Sequence, residues 1–320
     1  MTTLCVSACT SPSVDFDAGP ESYPIEFATM ESYSRSDPSV VSDSILDFDV
    51  FGSYVKDGVV GSFAEQNLDR LHVSRVSNTA TQWRCTPLRY WISGTTYYFA
   101  ATYPSGLKIA QRLVKGKESG DASYTAILTV KDVEIDGKTD IVVAIPEPIV
   151  AAGTMDTVKL NFVHLMSKVS ITFVNGFGAL DDMNITIGDV TLYGCSNKAD
   201  SVTLAKNVGE DWTVTWHENE SAGEYLLTLA GASSVAFGPG ESVSTNPVIV
   251  MPCSEPRCYY LKFAVHTSFL GLFGNNYEML AEIDDMALES GESYNFTATL
   301  NGSNLVSDGL GKRCKLVRKQ

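Results

Sequence analysis

Residues 293–300 read SYNFTATL, and their side chains divide by parity into two chemical sets. Tyr294, Phe296, Ala298 and Leu300 fall on one parity, while Asn295, Thr297 and Thr299 fall on the other. Successive side chains of an extended chain point to opposite faces, so this stretch is a strand with one face in a core and one face in water. A helix needs apolar residues every three or four positions and would scatter both sets around its circumference. Working outward, the same composition recurs in YYFAATY (97–103), SYTAILTV (123–130), DIVVAI (140–145), VSITFV (169–174), WTVTW (212–216), EYLLTL (224–229), NPVIVM (246–251) and YYLKFAV (259–265). These segments are short, rich in Val, Ile, Tyr, Phe and Thr, and separated by Gly, Asn, Asp, Pro and Ser. No segment keeps a helical apolar stripe for three turns, so helices are expected to be few and brief. The fold class that follows is all-β, built as antiparallel β-sandwiches.

The chain has 320 residues, beyond the usual single-domain size, so two domains of roughly 150 residues are expected. The seam falls near AAGTMDTVKL (151–160), a Gly-containing polar stretch between two apolar runs. Two tandem sandwiches are thus expected over 10–155 and 156–320. The first 44 residues differ, because CTSPSVDFDAGPESYP (9–24) and ESYSRSDPSVVSDS (31–44) have the Ser, Pro and Asp content of solvated linkers. Between them lies one strand-like island, YPIEFATM (23–30), with Ile25 and Phe27 on one face. Such an isolated first strand is expected at a sheet edge, shielding an apolar groove.

Net charge is −15, although the last nine residues, KRCKLVRKQ, carry five basic groups and no acid. An acidic body repels a phosphate backbone, which argues against nucleic acid as a partner. The basic tail reads as a solvated run of charge, with binding to anionic lipid as the alternative. No run of about 20 apolar residues exists to span a membrane as a helix. Seven cysteines are too few and too scattered for a disulfide scaffold. Cys253 and Cys258, in MPCSEPRCYY (251–260), have a loop-closing spacing that reads as two surface thiols or as a disulfide in an oxidising compartment.

Catalytic patterns are nearly absent. His217-Glu218 begins like a zinc-protease motif, but Ser221 stands where the second histidine is needed. NGFGALDD (175–182) has Gly176 and Gly178, yet Asp181 occupies the third glycine position, so a hairpin turn is the better reading. No G-x-S-x-G or G-x-x-x-x-G-K-[ST] pattern occurs. Neither cofactor nor metal site is expected, and the four histidines lack ligand spacing. At the start of the chain, Val6-Ser7-Ala8-Cys9 meets the requirement of a lipoprotein signal: a branched residue, two small ones and an acceptor thiol. The rest of a signal is missing, since no basic residue precedes Arg35 and the apolar stretch is shorter than the usual roughly 7–15 residues. Either the match is chance or residues 1–9 end the signal of a longer precursor.

Several of these segments occur in a familiar order. FDVFGSYV (48–55), RYWISGTTYYFAATYPSG (89–106), DIVVAIPEPI (140–149), LNFVHLMSKVSITFV (160–174) and SGESYNFTATL (290–300) resemble the fimbrillin-like proteins of Bacteroides and relatives, in the Mfa-like branch. The matching positions include Tyr90, Trp91, Phe99, Ala101, Tyr103 and Pro104, then Phe162, His164, Ser167, Lys168 and Val169. The resemblance implies transthyretin-like sandwiches and a subunit or accessory of a type V pilus, displayed on the outer membrane as a lipoprotein lipidated at Cys9. It also implies partnership with other pilin subunits by strand exchange, after a protease removes the first strand by cutting at an arginine. Arg35, in the loop behind the island strand, is the residue that matches such a site; an ordinary surface arginine is the alternative. Because alternation fades after Leu300, a tip or anchor role is expected over a stalk role. A glycan-binding surface module is the competing function, with Trp83, Trp91, Trp212 and Trp216 as candidate stacking residues.

Overall fold

A computed structural model of the chain describes residues 23–30, 45, 47–62, 70–75, 83–116, 124–152, 157–219, 222–229, 232–303 and 312–318. Strand dominates throughout, and the helical content of the described residues is one 3-10 turn, Ala179–Asp181. Ser293–Leu300 is a strand whose Tyr294, Phe296, Ala298 and Leu300 are all buried. Its parallel neighbour Ser167–Asn175 buries every second residue along its whole length. The period-two pattern in the sequence is therefore the pattern of burial.

The strands form three sheets. The first runs in the order Val158–Asn161, Glu26–Met30, Trp83–Thr86, Leu71–Arg75, Asp47–Lys56, Thr96–Tyr103, Val142–Ala144, Val163–His164. Phe27 and Phe99 belong to strands four steps apart, which in a flat sheet stand about 19 Å from one another. Their rings lie 5.8 Å apart, edge to face. The sheet must curl over itself, and it encloses a core containing Ile25, Phe48, Trp83, Trp91 and Phe162.

The second sheet runs Ala222–Leu227, Met183–Ser196, Cys253–Phe269, Phe273–Leu288, Lys312–Arg318, Ser293–Leu300, Ser167–Asn175, Ser242–Ser244. It folds over in the same way, bringing Phe173 and Phe263 from strands four steps apart to 4.9 Å. A third, four-stranded sheet of Thr213–Glu218, Lys198–Lys206, Tyr124–Glu134 and Lys108–Lys115 adds Leu128, Val130, Val202 and Leu204 to that larger core.

Three features differ from the expectation of purely antiparallel sandwiches. Glu26–Met30 with Val158–Asn161, Ser167–Asn175 with Ser293–Leu300, and Phe273–Leu288 with Lys312–Arg318 are parallel pairs. NGFGALDD is not a hairpin turn, because the strands it joins, Ser167–Asn175 and Met183–Ser196, are not neighbours in the sheet. It is an arch, steadied by the Asp181 carboxylate accepting from the Gly178 amide at 2.8 Å. The basic tail forms a strand over Lys312–Arg318. Its first half, Lys312 to Lys315, pairs with Met279 to Glu282 and its second, Leu316 to Arg318, with Phe296 to Ala298, joining two half-sheets into one.

The seam at 155 lies outside the described residues. Pairings nevertheless cross that position, since Tyr124–Glu134 pairs with Lys198–Lys206 and Glu26–Met30 with Val158–Asn161.

Candidate functional site

The island strand is where the geometry concentrates. Glu26–Met30 lies between two strands: Phe27 to Met30 run parallel to Val158 to Asn161, while Glu26 and Phe27 oppose Arg84 and Trp83. The expectation of an edge position is thus corrected by one strand, because Val158–Asn161 returns from far along the chain to cover the outer flank. Backbone bonds extend the contact towards the N-terminus, with the Ile25 amide donating to the Arg89 carbonyl at 2.7 Å and the Trp91 amide to the Tyr23 carbonyl at 3.0 Å.

Ile25 and Phe27 point into the core and are fully buried. Phe27 meets Phe99, which also contacts Trp91 at 5.9 Å and stacks on Tyr97 at 5.7 Å. Trp83 closes the inner wall and its indole N–H donates to the Thr29 hydroxyl at 3.3 Å. Val158 and Leu160, both buried, form the outer wall. Burying two side chains of this size contributes about 1.5–3 kcal/mol each. Taken out, the strand would leave an apolar slot with unpaired backbone groups on both walls, the form of surface that captures an extended chain.

The segments of recurring order also account for the frame of the slot. Asp49 is buried and accepts from the Gly106 amide at 2.7 Å, with Arg70 Nε at 3.3 Å and His72 Nδ1 at 3.4 Å. It fixes the turn after Tyr103 to the strand Asp47–Lys56. Phe162 packs on Phe48 at 5.2 Å, His164 pairs with Asp140, and the Ser167 hydroxyl donates to the Glu289 carbonyl at 2.8 Å. Phe162 and His164 thus anchor this connecting segment to the first sheet, and Ser167 anchors its continuation within the second.

A family profile of fimbrillin-like proteins matches residues 48–310. The chain belongs to the fimbrillin-like family. That membership implies a cell-surface or pilus protein that associates with other pilus subunits. Among solved structures, this fimbrillin-like chain is similar to a Bacteroides ovatus protein assigned to cell adhesion, at 14% identity over 94% of this chain and 97% of that one, TM-score 0.47. A Bacteroides uniformis protein of the same assignment is 16% identical over 92% and 98%, TM-score 0.45. The fimbrial anchor protein Mfa2 from Porphyromonas gingivalis is 11% identical over 93% and 97%, TM-score 0.43. No curated protein matches the chain.

The other residues singled out in the fimbrillin-like sequence fall as follows. Cys9 and Arg35 lie outside the described residues. Cys253 and Cys258 lie on one strand, Cys253–Phe269, and are not bridged to each other. The strand is irregular between them, its register against Phe273–Leu288 shifting on either side of Arg257. Cys253 instead shares a hydrogen bond of 2.7 Å with the Tyr259 hydroxyl, and Cys258 donates to Glu282 at 3.6 Å. Trp83 and Trp91 are buried, and Trp212 and Trp216 pack against the larger core, so none stands free as a sugar platform. His217-Glu218 lies on an edge strand, with Glu218 gripped by Arg257 through both carboxylate oxygens at 2.9 and 3.0 Å. Among the described residues no cluster of His, Cys, Asp and Glu has the makings of a metal site.

Proposed function

We propose that the chain is a non-enzymatic component of a type V pilus, held to the outer membrane by a lipid on Cys9, and that its first strand is a removable plug. The carrying observation is the place of Glu26–Met30, flanked by strands on both sides yet connected onward through residues 31–44, a polar segment containing Arg35. Cutting after Arg35 leaves the strand held by non-covalent contacts alone, and an incoming strand of similar pattern replaces it. A tip or anchor role is supported by Lys312–Arg318, which pairs within its own chain, Lys312 to Lys315 with Met279 to Glu282 and Leu316 to Arg318 with Phe296 to Ala298.

The test is limited digestion with trypsin. A stable fragment beginning at Ser36 is expected, and it binds a pilin C-terminal strand peptide that the uncut chain does not bind. Equal binding by both forms, or first cleavage elsewhere with Arg35 protected, would contradict the reading. Lipidation is checked separately: Cys9→Ser in the full precursor removes the acyl mass and the membrane association, whereas an unchanged mass would exclude Cys9.

A further inference from the structure

The long hairpin of Cys253–Phe269 and Phe273–Leu288 ends in a tip that breaks the usual rules of turns. Phe269 to Leu272 closes with a backbone bond of 3.0 Å, and both central residues have positive φ, +50° at Leu270 and +67° at Gly271. A turn of this kind favours Asn or Asp before Gly, because their short polar side chains tolerate the left-handed region. Here the position is leucine, which adopts it at a steric cost and is itself exposed. Leu272 is 77% and Phe273 73% exposed. Beside them, Leu180 on the neighbouring arch is 100% exposed. The arch and the tip are adjacent, since the Leu270 amide donates to the Asp182 carbonyl at 3.4 Å and Phe269 registers with Met183. One end of the molecule therefore presents a convex apolar knob on a fixed backbone.

We propose that this knob inserts into a zwitterionic lipid surface. No charged residue occurs from Thr267 to Tyr277, and between Ser268 and Asn275 no side chain offers a hydrogen bond. A protein interface of this size needs polar groups to fix orientation, whereas the acyl region of a bilayer asks only for apolar area. The arch residues Asp181 and Asp182 set the headgroup preference. They repel anionic lipid and face the ammonium groups of zwitterionic lipid. A tip-to-tip contact of two copies would place both pairs of aspartates together, which disfavours it.

The experiment uses the full chain carrying Cys9→Ser, so that no acyl group supplies the attachment, with phosphatidylcholine vesicles floated through a density gradient. The folded chain is expected to co-float, less so when phosphatidylglycerol is added at low salt. Leu272→Asp with Phe273→Asp lowers partitioning by about tenfold or more while circular dichroism and the unfolding midpoint stay unchanged. In a second readout, Leu272→Trp is quenched by bromine-labelled acyl chains. Absence of flotation, flotation untouched by the aspartates, or an unquenched Leu272→Trp would overturn the proposal. A concentration-dependent dimer abolished by the aspartates, without vesicle binding, would assign the knob to a second copy and overturn it equally.

Discussion

Gly194 sits where Met183–Ser196 breaks register with Ala222–Leu227, and its φ of +96° is open to glycine alone at no cost. A Cβ there would lie 2.7 Å from the Cys258 carbonyl oxygen and 3.2 Å from the Tyr259 Cα, both backbone atoms that cannot step aside. Gly194→Ala is therefore expected to cost about 2 kcal/mol or more, read as a fall in the urea midpoint at unchanged slope. The adjacent thiols differ in accessibility rather than in pairing. Burial, reinforced by the nearby Cys253, pushes the Cys195 thiol up to about 12, and burial raises Cys85 as well. Cys258 is only part-buried. Alkylation of the native chain at pH 8 should thus modify Cys258 first among these four and spare Cys85, Cys195 and Cys253 until the fold is lost. Peptide mass mapping checks this; a Cys253–Cys258 peptide lighter by two hydrogens would contradict it.

At the scale of the element, the strands of Ser293–Leu300 and Ser167–Asn175 were legible because each has one wet and one dry face, and alternation records that directly. Direction and partner were not. Period two is the same for parallel and antiparallel strands, and the parallel partners of Glu26–Met30 and Lys312–Arg318 lie far along the chain. Lys312–Arg318 was further hidden by its charge, which reads as loop although the backbone pairs along the length of the strand. The hairpin tip at Phe269–Phe273 gave a signal in its uninterrupted apolar run, but a core strand gives the same one. For the first strand, packing decides the energetics. Phe27→Ala should lose about 3–5 kcal/mol of stability through the cavity against Phe99, while Thr29→Ala, which removes one bond from Trp83, should lose about 1 kcal/mol. Equal losses in denaturant titrations would mean that the strand is held by its backbone rather than by its apolar face.

For the whole molecule, two curled sheets and a four-stranded cover create large cores, and the slot of the first strand is built from the middle and the end of the chain's first half. Its walls, Trp83–Thr86 and Val158–Asn161, stand on either side of the first strand in the sheet order. The first strand is a structural member there, and in the proposed function cutting its connection is what would make it replaceable. The frame around the slot was foreshadowed by the aromatic segments, since Trp91, Phe99 and Phe162 all belong to its core. The proposed lipidation residue Cys9 shows itself in the pattern Val6-Ser7-Ala8-Cys9, whereas the proposed processing residue Arg35 is legible only through resemblance. The central claim, that Glu26–Met30 plugs an exchangeable slot, is tested most directly by amide hydrogen exchange in three states: the intact chain, the trypsin product stripped of its first strand, and that product with a pilin C-terminal strand peptide. The account predicts that amides of Trp83–Thr86 and Val158–Asn161 are protected, then lose protection while Ser293–Leu300 stays protected, then regain it on binding. Protection of both walls in the stripped product, or its failure to return with the peptide, would contradict the account.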